Sequence, residues 1–223
     1  MAGFHFNFTL AITFRAARCA SRKLKAKLML KLNLGCGLRR LEGYVNVDQA
    51  ARSAADLLFD LETFPWPWGD ASVGEIKLTH SLEHMGARGD VFFGIVKELY
   101  RVLAPEGRVE IAVPHPFCSA FVNDPTHVRA ITPEILSLFS KKNCARFAEQ
   151  NWPNTPLALY LDVDFDLLRV ENKLTPYWAE RYRSGALTQA DLDFACATYL
   201  NVVEEVTMLM VKVPAGRSPA CVI

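Results

Sequence analysis

No stretch of this chain stays apolar for the ~18–20 residues that a bilayer-spanning helix needs. Nor does any CxxC pair occur among its six cysteines, Cys19, Cys36, Cys118, Cys144, Cys196 and Cys221. In a chain this large and apolar a disulfide framework is not expected, so the cysteines read as reduced thiols in a cytoplasmic setting. Charge of one sign is also missing overall. The formal net charge is +1, so no global field selects nucleic acid as a partner. There is no internal repeat and no low-complexity segment. Acids are absent from residues 1–41, while Arg15, Arg18, Arg22, Lys23, Lys25, Lys27 and Lys31 crowd the second half of that segment. A secretory signal places its charges before its apolar region; here they follow "FNFTLAITF". Residues 1–28 therefore read as a basic extension, either a dispensable leader or an amphipathic helix making weak contact with a membrane surface. Residues 29–223 read as the domain.

What is present suits one sizeable globular domain: 223 residues, 51% hydrophobic, 22% charged. Short apolar strands alternate with helical patterns. "LMLKLNL", "YVNVD", "ADLLFDL", "EIKLTH" and "GRVEIAVP" read as strands one to five, with a Pro- and Gly-rich loop, "PWPWGDASVG", before the fourth. "GDVFFGIVKELYRVLAP" reads as a helix ended by Pro105 and Gly107, with Val91, Ile95, Leu99 and Val102 at helical spacing. "TPEILSLFS" reads as a helix capped by Thr132 with Pro133 in its first position. "VDFDLLRVENKL" is a sixth strand, "YWAERYRSGALTQADLDFACATYL" a helical stretch, and "VEEVTMLMVKV" a seventh strand. This alternation predicts an α/β fold with a mainly parallel sheet. Ligands in such sheets sit beyond the C-terminal ends of the strands. The Gly-Cys-Gly turn, Asp48, Asp60, "THSLEHM" and "PHP" all fall at that edge.

Gly35 and Gly37 directly follow strand one, where a backbone at positive φ lets a ligand approach closely. A dinucleotide fingerprint would need a third glycine, but Arg40 stands there, and the acid Asp48 comes only eleven positions after Gly37. Pyrophosphate binding and a nicotinamide oxidoreductase are thus poorly supported. A carboxylate ending strand two can still accept from both hydroxyls of a ribose. Cys36, within the turn, reads as a small residue that fits.

In this order, "LNLGCG…NVDQ…FDLETFPWPWGDASVGEIKLTHSLEHM…VKELYRVLAPEGRVEIAVP" resembles the class I S-adenosylmethionine-dependent methyltransferases, over roughly Met29 to Pro114. It is most similar to a small bacterial group with an "LNLGCG" opening and a shortened first crossover, often linked with surface-sugar synthesis. The resemblance implies a Rossmann-like methyltransferase sandwich, with a seven-stranded, mostly parallel sheet whose last strand is antiparallel. It implies S-adenosylmethionine as cofactor. Leu34, Gly35, Cys36 and Gly37 would line its methionine end and Asp48 would bind the ribose. Asp60 and Leu61 would meet the adenine, and His80 and Ser81 would lie beside the sulfonium. Only "LRRLEG" separates Gly37 from Tyr44, whereas a parallel crossover usually takes a dozen or more residues. The first helix must be about one turn or absent.

Methyl transfer to a hydroxyl needs alignment and a proton acceptor, a role suited to histidine. His115 and His127 follow strand five, in a segment that also holds Asp124, and each is a candidate base; each also reads as a loop histidine tied to a carbonyl or carboxylate. "HSLEH" (His80 to His84) matches the H-x-x-E-H pattern of zinc peptidases, but the surrounding order of motifs is not theirs. A structural metal on His115, Cys118 and His127 is a further minor reading; no metal is expected. No "NPPY"-like stretch follows strand four, which argues against base amines as acceptors, and no basic stripe interleaved with aromatics favours nucleic acid. "FPWPW" reads as packing rather than ring stacking. The expectation is a methyltransferase acting on a small-molecule or sugar hydroxyl. The alternatives are a catalytically inactive nucleoside-binding module of the same fold, and a zinc hydrolase.

Overall fold

The computed structural model describes residues 29–214. The basic extension and its membrane-surface contact lie outside the described residues. Seven strands form one sheet: β1 (Leu30–Leu34), β2 (Val45–Asp48), β3 (Leu57–Leu58), β4 (Val73–Thr79), β5 (Leu103–Pro114), β6 (Phe165–Leu174) and β7 (Val203–Lys212). Their spatial order is β3-β2-β1-β4-β5-β7-β6. The first five pair in parallel, and β7 runs antiparallel to both β5 and β6. The expected seven-stranded sheet with an antiparallel last strand is thus what the chain adopts. The order reverses between β1 and β4, which opens a crevice at their C-terminal ends.

The core follows from the pleat. Leu32 and Leu34 of β1, Ile76 and Leu78 of β4, Val109, Ile111 and Val113 of β5, and Met208 and Met210 of β7 are buried. Helix α1 (Gly89–Val102) lays Phe92, Ile95, Leu99 and Val102 into the same cluster. Alternate positions of β4 and β5 point to the opposite face, where Lys77 pairs with Glu110 at 2.8 Å. Helix α1 stops at Val102 rather than near Pro105. A residue before proline is pushed out of the helical region, and here Leu103 and Ala104 join the sheet, with Leu103 in register with Val73.

After β5 the chain makes four short helices, α2 (Ser119–Val122), α3 (Pro133–Ser137), α4 (Lys141–Glu149) and α5 (Leu157–Leu161). Thr132 caps α3 as expected, its hydroxyl accepting from Ile135 N–H. The helical stretch between β6 and β7 is two helices, α6 (Pro176–Arg183) and α7 (Gln189–Thr198). Gly185 at φ +76° ends the first, and a Thr188–Asp191 capping box starts the second. No helix among the described residues is long and apolar enough to cross a membrane.

Candidate active site

The link from β1 to β2 contains no helix. Side chains replace it. Asn33 and Asn46 sit opposite each other in register and are buried. Asn33 donates to the Asn46 side-chain oxygen at 2.9 Å and to the Arg39 carbonyl at 2.9 Å. That same Asn46 oxygen accepts Leu41 N–H at 2.8 Å. The Asn46 amide in turn donates to the carbonyls of Leu41 and Tyr44 and to Asp56, at 3.2, 3.2 and 2.8 Å. Asp56 also accepts Asn46 N–H, and Arg40 pairs with it. Backbone and amide donors from Asn46, with Arg40 beside them, hold the Asp56 carboxyl at a pKa of about 2. This network clamps the loop that carries the glycines.

Gly35 and Gly37 have φ of +66° and +51°. A Cβ on Gly35 would lie 2.4 Å from Ser81 Cβ, so the loop can pass over the end of β4 only as glycine. Ser81 is buried and donates its hydroxyl to the Leu34 carbonyl at 3.1 Å. Asp48 ends β2 and accepts Gly37 N–H and Ala50 N–H, each at 2.8 Å. Each of its oxygens keeps a further lone pair for a ligand. Asp60 tightens its own turn, accepting Glu62 N–H at 2.9 Å. Leu61 is buried, and its carbonyl accepts the Trp66 indole N–H at 3.0 Å. Trp66 and Trp68 pack edge to face, 5.8 Å between centroids. Glu98 ties Trp66 N–H at 2.6 Å and holds Arg101 at the same time. The "FPWPW" tryptophans therefore pack, and by packing fix where Asp60 and Leu61 stand.

These elements enclose a cleft of about 670 Å³, within the range of small-molecule sites. Seven of the residues singled out line it: Gly35, Gly37, Asp48, Asp60, Leu61, His80 and Ser81. Leu34 and Cys36 do not. Leu34 is fully buried in the core. The Cys36 thiol is buried too, 3.6 Å from the Gly37 carbonyl, and burial and then the Asp48 charge push its pKa up. It is a packing thiol. Gln49, Phe59, Glu62, His84, Met85, Ala87 and Thr126 complete the lining. Thr126 carries no motif that would have marked it, because the fold alone brings it there.

A second cavity, about 600 Å³, adjoins the first, with His80 and His84 lining both. His127 and Asp124 face this second cavity. His127 Nδ1 is 2.8 Å from the Phe121 carbonyl, and its Nε2 is 3.8 Å from Asp124. His115 does not join them. It lines a separate cavity with Pro133, Glu134, Val170 and Cys196, and burial lowers its pKa. The trio of His115, Cys118 and His127 is likewise not assembled: His115 and His127 line separate cavities, and the donor atoms of the three do not converge.

The "HSLEH" segment is not a helix bearing two histidines on one face. His80 has φ +50° and donates its N–H to Ala112 in β5. Only Leu82–His84 form a 3-10 turn. His80 Nδ1 lies 3.6 Å from Glu83, long for a hydrogen bond, and its Nε2 lies 2.6 Å from Glu205 on β7. Glu83 and Glu205 together raise its pKa against the opposing effect of burial. With each ring nitrogen facing a carboxylate, His80 is held in place between the end of β4 and β7 rather than standing as a free imidazole. The zinc-peptidase reading of His80 with His84 loses its geometric basis.

Strand order, the antiparallel β7 and a crevice beside β1 define the Rossmann-like methyltransferase fold. No protein-family profile and no curated protein sequence matches the chain. Among solved structures, the chain is similar to a SAM-dependent methyltransferase from Archaeoglobus fulgidus, at 16% identity and TM-score 0.50, over 92% of this chain and 96% of that one. It is similar also to 1,6-didemethyltoxoflavin-N1-methyltransferase from Burkholderia thailandensis, solved with S-adenosylhomocysteine, at 15% identity and TM-score 0.47, over 89% and 79%. An S-adenosylmethionine-dependent methyltransferase from Mesorhizobium loti aligns at 14% identity and TM-score 0.45, over 88% and 98%.

Proposed function

We propose that this chain is a cytoplasmic S-adenosylmethionine-dependent methyltransferase acting on a hydroxyl of a small, carbohydrate-like acceptor. The observation that carries the reading is the cleft at the C-terminal edge of β1, β2 and β4. A glycine floor meets two carboxylates, Asp48 and Asp60, across a volume suited to a nucleoside with an amino-acid chain. The donor set fits that group. Asp48 has lone pairs for vicinal hydroxyls, and Asp60 with the Leu61 backbone offers polar partners for a base.

S-adenosylmethionine, when bound, would supply an electrophilic methyl on a sulfonium, transferable in line to an acceptor oxygen with the S–C bonding pair left on sulfur. The protein aligns the two and disposes of the acceptor proton. The second cavity supports a polar acceptor, because it opens beside the cleft through His80 and His84 and is walled mainly by charged and imidazole groups. Asp124 and His127 fall on that acceptor side.

The test is calorimetric titration of S-adenosylmethionine and S-adenosylhomocysteine into wild type and Asp48→Ala. Micromolar binding, weakened by ~1.5–3 kcal/mol in the variant as expected for a charge-assisted hydrogen bond, supports the cofactor site. No binding at millimolar ligand refutes it. Binding without S-adenosylhomocysteine production on any hydroxyl acceptor would favour an inactive nucleoside-binding module, a reading suggested by the missing crossover helix.

A further inference from the structure

Glu83 presents a problem that the methyl-transfer cleft does not solve. It is 0% exposed, and neither carboxylate oxygen has a hydrogen-bond partner among the described residues. A buried carboxylate that accepts no hydrogen bond is costly, and natural proteins pair such groups or give them a metal. His80 is the nearest basic group, but its Nδ1 stands 3.6 Å away, too far for a hydrogen bond, and its other nitrogen faces Glu205 at 2.6 Å.

Two imidazoles face the same carboxylate. One donor atom from each of Glu83, His84 and His127 lies within 4.8 Å of the others. The hydrogen bonds around them fix both tautomers. His127 Nδ1 is 2.8 Å from the Phe121 carbonyl, which can only accept, so Nδ1 carries a proton and in the neutral ring Nε2 is the free lone-pair donor. His84 Nδ1 is 2.9 Å from the Thr126 hydroxyl, and that hydroxyl donates its single proton to Asp124 at 2.6 Å. Thr126 must therefore accept from His84 Nδ1–H, which in the neutral ring leaves Nε2 as the free lone-pair donor. A histidine that binds a metal through one nitrogen typically donates the other N–H to a carbonyl or other acceptor. Both histidines already have that second interaction in place. Asp124 lies beside both, linked to His84 through Thr126 and 3.8 Å from Nε2 of His127, on the donor side of that ring.

We propose that Glu83, His84 and His127 form a binding site for one divalent first-row transition-metal ion in the second cavity, where His84 also borders the cleft. Two imidazole nitrogens and one carboxylate oxygen suit zinc, manganese, iron or cobalt better than calcium or magnesium. The cavity supports a cation: Glu83, Asp124, Glu204 and Glu205 line it against Arg39 and Lys173. Three protein ligands leave coordination positions open. Resting on the methyl-transfer reading above, those positions would take an acceptor oxygen, which makes a vicinal diol or hydroxy-carbonyl compound the favoured acceptor class. The donors come from the "LEH" turn after β4 and from the loop after α2, with His127 43 positions after His84, so only folding brings them together.

The experiment uses the purified full chain, stripped with a chelator and freed of any histidine tag. Cobalt(II) and zinc(II) chloride are titrated into wild type, Glu83→Gln and His127→Gln, read by calorimetry, cobalt visible absorption and melting temperature. One equivalent bound by wild type, cobalt bands of a low-coordinate nitrogen–oxygen site, a metal-dependent rise in melting temperature, and at least tenfold weaker binding in each variant are expected. Glu83→Gln should be no less stable than metal-free wild type, since it neutralises a buried carboxylate that accepts no hydrogen bond; His127→Gln serves if that variant fails to fold. No saturable binding up to millimolar metal, or binding that both substitutions leave unchanged, would overturn the site. S-adenosylhomocysteine binding in the stripped protein is measured separately. Its loss with metal binding intact would sink the methyltransferase reading alone, and the reverse would sink the metal site alone.

Discussion

Asn46→Ala is the substitution that most directly tests how this domain manages without a first crossover helix. The side chain is 0% exposed. Its oxygen accepts two hydrogen bonds and its amide donates to three acceptors, all at 3.2 Å or less. An amide has two protons, so about four full bonds are lost. At about 1 kcal/mol net each, with the Asn33 amide and Leu41 N–H left short of a partner, the loss comes to roughly 3–5 kcal/mol. Against a typical domain stability of ~5–15 kcal/mol that is a large fraction. Urea unfolding measures it: with a slope of ~1–3 kcal/mol/M, the midpoint should fall by about 1–5 M. Because residues 35–44 carry the glycines of the cleft, affinity for S-adenosylhomocysteine should drop in the same variant under conditions where it remains folded. A midpoint shift corresponding to less than ~1 kcal/mol, with ligand affinity unchanged, would refute the idea that this amide replaces the helix.

Two further outcomes follow from the same region. Gly35→Ala should destabilise the protein and abolish ligand binding, because its Cβ would meet Ser81 at 2.4 Å while the backbone is held at φ +66°; thermal melting and calorimetry would show it, and a variant with normal melting and binding would contradict the close approach of β1 and β4. Asp56 gives the acid dependence. Its folded pKa is depressed to about 2 from an ordinary 3.8, so its stabilising contribution is complete above 3.8 and is lost as pH falls toward 2. Stability followed between pH 5 and pH 2 should fall more steeply in wild type than in Asp56→Asn.

The alternation of strands and helices was legible in the chain because each element carries its own period. Val91, Ile95, Leu99 and Val102 mark one helical face, and the apolar strands sit between turn residues. The edge on which Gly35, Gly37, Asp48, Asp60 and His80 meet was legible for a similar reason: in a parallel sheet every strand ends on the same side. Even the missing helix could be counted from the six residues between Gly37 and Tyr44. Its replacement could not, since Asn33 and Asn46 look like ordinary polar residues within strands until their register places them opposite each other.

The local sequence by itself determined the α/β alternation, the glycine turn, the Thr132 cap and the ends of the strands, since each depends on residues within a few positions of one another. Only the tertiary structure decided which histidines share a site. His115 and His127 stand twelve positions apart in one segment yet face different cavities, because α2 and the turn after it carry His127 back toward the 3-10 turn after β4. His80 was drawn to Glu205, 125 positions away, by the antiparallel pairing of β7 with β5. Charge partners and buried donor sets of this kind are properties of long-range packing, and the separation of their members along the chain hides them from any local pattern.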